Sequence, residues 1–481
     1  MKNHIVAIDQ STSSSKVFLV GDGVKILRRF SKEHRQYYPQ SGHVEHDAEE
    51  IWLNVLEGIR EVSSDKSILC VAISNQRETT VFWDKQTGKP LCPAIVWQDV
   101  RGEYVCKELS EHEKKIRELT GLTLSAYFLA AKATAKLREN PTLYRRAQEG
   151  SLCIGTVDSY LIYRLTKGRV FATDVSNASR TQLMNLQTLD WSEELCRLFD
   201  IPLHCLPSIY PSDHAFGDVE IDGLEGIPIV GVMGDSHAAF FGQDCNEPGM
   251  VKATFGTGSS VMMNIGLQPL LSNSGLATSV GYSFDGKTCY VLEGNVTSSG
   301  DTLRWLRDEM NLVKDIKDVE KISFQTKDAG DVYLVPAFSG LGAPHNRPNA
   351  RAVICGLSRG SNKNHIIRAA LESMAYQDAD VINAMVEDTQ VILSELRVDG
   401  GPTSNHILMQ FLSDILGCSI QCAAVSELSA LGVALMASKR LGLCDVGFNL
   451  KKGNKYVPVH DQKWRDKKLN GWRDAVRRSA Q

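Results

Sequence analysis

A carboxylate at the end of a predicted strand is the residue in this sequence best suited to acid–base chemistry. The apolar run Ile227–Val232 predicts a strand, and Asp235 follows it, ahead of small residues that open a helix. Ligands of α/β proteins bind beyond the carboxyl ends of strands, where a carboxylate can take a proton from an attacking hydroxyl. An aspartate at this position is also a common helix N-cap, so both interpretations stay open.

A turn of small hydroxyl residues near the amino terminus could bind phosphate. Thr12, Ser13 and Ser14 lie between two predicted strands, and their hydroxyl and backbone N–H groups can donate to phosphate oxygens. Lys16 adds a positive charge for the same anion, and Asp9, at the end of the first strand, could hold magnesium through water. An ordinary serine- and threonine-rich hairpin turn has the same composition.

Two glycine-containing turns in the second half of the chain could complete a nucleotide site. Thr257 lies between Gly256 and Gly258, where the backbone can approach a ligand closely and the hydroxyl can donate to a phosphate. The turn that contains Gly401 and Asn405 precedes a predicted helix and could receive a flat base against its backbone. Either turn could also be a plain connection. A triphosphate needs donors from more than one side, which favours the hairpin around Thr257 as a partner of the amino-terminal one.

An adjacent arginine and glutamate could recognise a neutral polyol. Arg77 and Glu78 follow the predicted strand Ile68–Ile73 and offer donors and an acceptor side by side. The hydroxyls of a polyol both donate and accept, so such a pair suits them. A surface ion pair of little energetic importance is the alternative interpretation.

The elements that must position these residues alternate between strands and helices. This alternation predicts an α/β architecture with helices covering mixed sheets. The opening strand–turn–strand pattern recurs near residue 250, which indicates two related domains facing one cleft. We place the domains at residues 1–245 and 246–445, followed by a helical tail at residues 446–481 in which Trp464 and Trp472 anchor a peripheral helix.

Composition narrows the range of partners. The chain has 481 residues, a net charge of −4 and no long apolar run, which speaks against nucleic acid and membrane as partners. The amino terminus enters a strand pattern directly, so we expect a cytoplasmic protein. The twelve cysteines are scattered without C-x-x-C spacing, which favours buried, reduced thiols over a zinc or redox site.

These segments, in this order, resemble the FGGY family of carbohydrate kinases, and within it most closely the glycerol kinases. The resemblance runs from about residue 4 to about residue 440. The stretches that carry it include IVAIDQSTSSSK, SNQRETTVFW, TDVSNASRT, TFGTGSSVMMN, VPAFSGLGAP and VDGGPTSNHILMQFLSDILG. The resemblance implies two RNase H-like domains of the actin, hexokinase and Hsp70 superfamily flanking a central catalytic cleft. It also implies ATP-dependent, magnesium-dependent phosphorylation of a hydroxyl of a small polyol or sugar.

The resemblance assigns roles to individual residues. It makes Asp235 the general base and places magnesium near Asp9 and Asp235. The residues matched to the ATP site are Thr12, Ser13, Ser14, Lys16, Thr257, Gly300, Arg304, Gly401 and Asn405. The residues matched to the substrate site are Arg77, Glu78, Trp97, Tyr127, Asp235, Ser236 and Ser260.

Three departures from the family pattern bear on the substrate and the nucleotide. Glycerol kinases carry Gln at the position of Ser236 and Phe at that of Ser260, and Arg304 stands where a Gln often touches the nucleotide. The two serines enlarge the pocket and make it more polar. A four- or five-carbon polyol or ketose, of the erythritol, threitol, xylulose or ribulose type, is therefore the alternative to glycerol.

A nucleotide-binding regulator on the same fold is a third interpretation. It is disfavoured because Asp9, Asp235 and the Arg77–Glu78 pair are intact, and a sensor has no need of a general base. Members of the family are often dimers or tetramers, so we expect a homodimer or homotetramer.

Overall fold

The computed structural model describes residues 4–64, 67–445 and 450–481. The helices in these ranges are α1 (Ala48–Ser63), α2 (Glu103–Glu108), α3 (Glu113–Thr120), α4 (Leu129–Glu139), α5 (Pro141–Gln148), α6 (Val157–Leu165), α7 (Val175–Ala178), α8 (Glu193–Leu198), α9 (Asp235–Gly242), α10 (Gly300–Asp308), α11 (Asp318–Gln325), α12 (Lys363–Thr389), α13 (His406–Leu416), α14 (Leu428–Arg440) and α15 (Gln462–Ser479).

The strands are β1 (His4–Gln10), β2 (Ser14–Gly21), β3 (Lys25–Glu33), β4 (Gln36–Tyr37), β5 (Glu45–His46), β6 (Ile68–Asn75), β7 (Val81–Asp84), β8 (Ala94–Ile95), β9 (Leu152–Gly155), β10 (Ala172–Asp174), β11 (Met184–Asn185), β12 (Asp190–Trp191), β13 (Ser208–Tyr210), β14 (Ala215–Asp218), β15 (Pro228–Gly234), β16 (Met250–Phe255), β17 (Ser259–Gly266), β18 (Ala277–Phe284), β19 (Lys287–Val296), β20 (Tyr333–Val335), β21 (Val353–Cys355), β22 (Glu395–Gly400), β23 (Ile420–Ala423) and β24 (Lys452–Tyr456).

A six-stranded sheet organises the amino-terminal half. Its order is β14-β15-β6-β1-β2-β3, in which β15, β6 and β1 are parallel and β1, β2 and β3 form an antiparallel meander. Strands β1 and β6 are covered on both faces, which explains why their sequences are almost continuously apolar. The carboxyl ends of β1, β6 and β15 lie along one edge and carry Asp9, Arg77 and Asp235.

The carboxyl-terminal half repeats this arrangement. Its sheet has the order β18-β19-β17-β16-β22-β23-β24, with β16, β22 and β23 parallel and β16, β17 and β19 antiparallel. The six strands β24, β23, β22, β16, β17 and β19 therefore correspond in order to the six strands of the first sheet, and β18 is an addition at the edge. The recurring hairpin in the sequence corresponds to a duplicated sheet.

Helix α14 connects the two halves physically. It follows the second sheet in the chain but packs its apolar face on β1, β6 and β15 of the first sheet. Its Gly432 lies against α9, where a Cβ atom would approach the carbonyl oxygen of Ala238 to 1.9 Å. The close approach of α9 and α14 therefore requires glycine here, and it holds the helix that begins with Asp235.

One predicted helix is wrong. The apolar spacing of residues 104–119 predicts a single helix, but the structure has α2 and α3, separated by a 3-10 turn at Ser110–His112. The turn buries no side chain, so the apolar periodicity on either side of it contains no mark of the interruption.

The end of the chain is part of the second core. Strand β24 pairs with β23, and Trp472 of α15 is buried and stacks on Tyr376 at 5.0 Å between ring centroids. Residues 446–449 of the predicted tail lie outside the described residues. The predicted division into segments 1–245, 246–445 and 446–481 stays a prediction.

Candidate active site

Asp235 is the first residue of α9, immediately after β15. The N-cap position belongs to Gly234, so the simple N-cap interpretation does not hold. The Asp235 carboxylate accepts a hydrogen bond from the backbone N–H of Ser236 at 2.6 Å, and one third of its side chain is exposed. Ser429 of the neighbouring α14 region donates to the Asp235 carbonyl at 3.0 Å. The result is a carboxylate on a fixed backbone that still reaches solvent.

Asp9 and Asp235 face one cavity of about 600 Å³ between the two halves. Lys16 also lines it, with its Nζ 4.0 Å from an Asp9 carboxylate oxygen. Burial raises the pKa of Asp9 to about 6, in spite of Lys16, and the negative charge of Asp235 adds to the rise. Asp399 and Lys252 line the same cavity, so three carboxylates face two lysines there.

The predicted polyol pair is buried and forms part of a larger ion network. Arg77 and Glu78 are 6% and 1% exposed, and they do not pair with each other. Arg77 makes a two-pronged contact with Glu293 of β19, at 2.8 and 2.9 Å, and its Nε lies 3.4 Å from Asp235. Glu78 accepts from Nε of Arg180 at 2.6 Å. The interpretation as a surface ion pair is therefore wrong.

An aromatic wall borders the same network. The rings of Trp97 and Tyr127 meet edge to face at 5.6 Å, and the Arg180 guanidinium lies 5.9 Å from the Tyr127 ring. Burial raises the pKa of the Tyr127 phenol, and the nearby Glu78 carboxylate raises it further, so the phenol is neutral. The Trp97 indole donates to Thr12 Oγ1 at 2.9 Å, which ties the amino-terminal hairpin to this wall.

A second cavity, of about 540 Å³, brings together five predicted nucleotide residues. They are Thr257, Gly300, Arg304, Gly401 and Asn405. Gly401 lines both cavities, and a Cβ atom there would point into open space. Gly300 has no such room, because a Cβ would lie 2.4 Å from the carbonyl oxygen of Gly256. An elongated ligand can thus run from one cavity into the other past Gly401.

The remaining predicted residues have varied surroundings. Ser236 lines the cavity of Asp9, and Ser13 is exposed on the hairpin. The hydroxyl of Ser14 lies 3.2 Å from that of Ser11 within the turn, and neither residue lines either cavity. The Ser260 hydroxyl is buried and has no hydrogen-bond partner. The phosphate-binding roles of Thr12, Ser13 and Ser14 stay predictions.

Arg180 and Glu293 are two charged residues of this ion network that sequence reasoning missed. Arg180 lies in the stretch TDVSNASRT and Glu293 in the middle of β19. A single charged residue within the apolar stretch CYVLEGNV is unusual, because burial of a charge requires a partner, and this was the available signal for Glu293. The partner could not be named, since it lies 216 positions away in Arg77.

The donor set fits magnesium with a triphosphate. Carboxylate oxygens of Asp9 and Asp235 are hard ligands of the kind that magnesium prefers, and magnesium usually keeps water and substrate phosphate oxygens in its remaining positions. Among the described residues, no group of three or more His, Cys, Asp or Glu side chains forms a complete protein cage.

The fold is that of a two-domain phosphotransferase, and the candidate active site lies between its duplicated sheets. The sequence profiles of the N-terminal and C-terminal domains of the FGGY family of carbohydrate kinases match residues 4–242 and 251–441. The chain belongs to this family. The predicted family, fold class and class of enzyme are confirmed.

Several relatives match over their full length. Glycerol kinase 1 of Thermotoga maritima is 44% identical over 487 residues, covering 99% of both chains. Glycerol kinase of Halorhodospira halophila is 44% identical over 490 residues, covering 99% of this chain and 97% of that protein. The crystal structure of Plasmodium falciparum glycerol kinase with ADP has a TM-score of 0.95 at 36% identity, covering 99% of this chain and 98% of that one.

At lower identity, similarity to solved structures shows the fold alone. The ligand-bound xylulose kinase of Lactobacillus acidophilus has a TM-score of 0.89 at 21% identity, covering 99% of this chain and 97% of that one.

No helix in the described parts of the chain is long and apolar enough to span a membrane.

Proposed function

We propose that this protein transfers the terminal phosphoryl group of ATP to a hydroxyl of glycerol, giving glycerol 3-phosphate and ADP. The observation that carries the proposal is the contact of Arg77 with Asp235 at the edge of a cavity that also holds Asp9. Donors for a polyol, a base and a cation-binding carboxylate thus adjoin one space. The full-length similarity to glycerol kinases supports glycerol as the first substrate to test.

Asp235 acts as the general base in this proposal. Its carboxylate is partly exposed on the cavity, and its backbone is held by α9 and by the hydrogen bond from Ser429. It takes the proton of the attacking hydroxyl as the oxygen bonds to the phosphorus and the bond to the ADP oxygen breaks. Arg77 donates to a polyol oxygen and Glu78 accepts from a polyol hydroxyl, so the reacting hydroxyl is held towards Asp235.

The nucleotide occupies the second cavity and reaches the first past Gly401. Thr257 and Arg304, whose Nη2 lies 2.8 Å from the Thr257 hydroxyl, contact its phosphates. Asp9 and Asp235 would hold magnesium, which when bound would neutralise charge on the phosphate oxygens. Lys16, which lines the first cavity, adds to the positive charge.

Replacing the base tests the mechanism. In Asp235→Asn the turnover of glycerol should fall by roughly 100- to 10,000-fold, the range of a general base. ADP affinity, measured by calorimetry without magnesium, should stay close to that of the unchanged protein, because the adenine cavity does not include residue 235. Unchanged turnover in this variant would refute the assignment of the base.

A longer polyol or ketose is the second candidate substrate. The observation in its favour is the buried Ser260 hydroxyl without a partner, since such a group is costly unless a ligand or water satisfies it. Small Ser236 lines the cavity and leaves room beside Asp235. Initial rates with glycerol, erythritol, threitol, xylulose and ribulose decide between the candidates: a clear preference for glycerol in kcat/KM excludes the longer substrates.

Catalysis also separates the kinase from a nucleotide-binding regulator. A regulator would bind ADP without turning over any compound of this panel. A cytoplasmic location and assembly into a homodimer or homotetramer belong to the proposal as well, and sedimentation of the purified protein tests the latter.

A further inference from the structure

We propose that Glu293 is a positioning residue that assembles the polyol site only when the two halves of the molecule are together. This inference rests on the proposed kinase function, and it gives a role to a residue that the proposed mechanism leaves without one. Glu293 belongs to β19 of the carboxyl-terminal sheet, whereas both arginines that it contacts belong to the amino-terminal half.

The Glu293 carboxylate makes a bidentate contact with the Arg77 guanidinium. Both Glu293 carboxylate oxygens accept from the two terminal nitrogens of Arg77, at 2.8 and 2.9 Å. A guanidinium has five N–H donors in one plane, so this contact fixes the plane and leaves three donors for Asp235 and a substrate hydroxyl. Arg77 without Glu293 would keep its charge but lose this orientation.

The same carboxylate reaches the other polyol ligand indirectly. A Glu293 oxygen lies 3.2 Å from Nη1 of Arg180, and Arg180 donates to Glu78 at 2.6 Å. All four side chains are at most 6% exposed. Burial alone would raise the pKa of Glu293, but the positive charges of Arg180 and Arg77 outweigh it and hold that pKa below its ordinary value. Glu293 therefore orients the donor Arg77 and the acceptor Glu78 at once.

Separation of the two halves would remove this orientation. Glu293 would leave with its sheet, and the two buried guanidinium groups would lose their shared partner across the boundary. The polyol site then loses affinity while the second cavity, whose residues come from the carboxyl-terminal half alone, keeps its shape. Polyol binding is thus coupled to the closed arrangement, and nucleotide binding is much less so.

The test compares Glu293→Gln with Glu372→Gln. Glu372 is a matched control because it is also a buried carboxylate of the carboxyl-terminal half, paired with Arg368 at 2.6 Å within α12. In E293Q the KM for the polyol should rise roughly 30- to 100-fold, as expected for loss of one partner of a buried charge pair. The affinity for ADP should not change. E372Q should leave the KM for the polyol unchanged.

If Glu293 had a purely structural role, E293Q would lower the fraction of active protein, but the remaining active protein would keep both its polyol KM and its affinity for ADP. An unchanged polyol KM in E293Q, or an equal loss of ADP affinity, would overturn the proposal. If E293Q does not fold, Glu293→Asp provides the decision. This substitution keeps the negative charge but shortens the side chain by one methylene, which would break the bidentate contact with Arg77. An unchanged polyol KM in E293D would therefore also overturn the proposal.

Small-angle scattering without substrate separates this inference from the proposed function. The ligand-free E293Q or E293D protein should have a larger radius of gyration than the unchanged protein and E372Q. Equal radii would refute the coupling across the boundary, even if the kinase assignment holds. Absence of turnover with every polyol in the unchanged protein would refute the assignment, while the scattering comparison would still decide the role of Glu293.

Discussion

Asp9 should reduce the stability of the ligand-free protein, and its removal should therefore increase stability. The carboxyl is 7% exposed, and burial raises its pKa from 3.8 to about 6. A raised pKa in an acid means that folding favours the protonated form. The penalty is absent below pH 3.8, grows between pH 3.8 and 6, and is complete above pH 6.

The size of the effect follows from the shift. At about 1.4 kcal/mol for each pKa unit, the charged form costs roughly 3 kcal/mol of unfolding free energy at pH 7.5. At pH 5 the cost is roughly 1.5 kcal/mol, because the carboxyl is mostly protonated in the folded state and mostly ionised in the unfolded state, so folding must take up a proton. Asp9→Asn removes the charge and should gain these amounts, which correspond to roughly 3 °C in Tm at pH 7.5 for a chain of this length unfolding as one unit.

The assay is thermal and chemical unfolding of the ligand-free protein at pH 5 and pH 7.5. Asp84→Asn is the control, for which we expect the opposite change in stability. Burial would raise the pKa of Asp84, but hydrogen bonds from Thr87 lower it overall. The charged form of Asp84 therefore stabilises the folded protein at pH 7.5, and D84N should be less stable there. A D9N protein that is less stable than the unchanged one at pH 7.5, or whose gain is the same at both pH values, would refute the reasoning. D9N should also require more magnesium for turnover, since it loses a proposed ligand.

The remaining predictions concern the two cavities. Gly401→Leu should weaken ADP binding at least tenfold, since its side chain would enter the junction of the cavities, whereas Gly360→Leu on the exposed surface should not; calorimetry of both variants checks this. Ser260→Ala should leave stability unchanged or raise it by about 1 kcal/mol, because it removes an unsatisfied buried hydroxyl. If a longer polyol uses that hydroxyl, S260A should raise its KM and leave that of glycerol unchanged. Arg304→Ala should lower ADP affinity about tenfold through loss of a charge-assisted contact, and equal affinity would contradict its role.

Local patterns predicted the strands and helices that carry the site. The strand before Asp235 and the helix after it were both predictable, because apolar runs and small residues act over short distances in the chain. The recurring hairpin predicted two related halves, and the duplicated sheets have that topology. The break between α2 and α3 was not predictable, since an exposed turn leaves the apolar periodicity intact.

The surface on which α14 packs could not be predicted from its position along the chain. The segment was assigned to the second domain by its position, yet it covers β1, β6 and β15 of the first sheet. Apolar residues on a helix specify that a face is buried but not which surface buries it. The glycine at position 432 allows the close contact with α9, and only the folded chain shows which helix takes advantage of it.

The sequence by itself determined the family, the class of enzyme and several of the residues that line the two cavities, because these depend on residue types in an ordered series of short segments. The tertiary structure decided how the charges combine. It buried Arg77 and Glu78, gave each a partner other than its neighbour, and placed Glu293 between Arg77 and Arg180. A buried charge must find a partner, but the chain can bring that partner from any distance, so only three-dimensional packing identifies it.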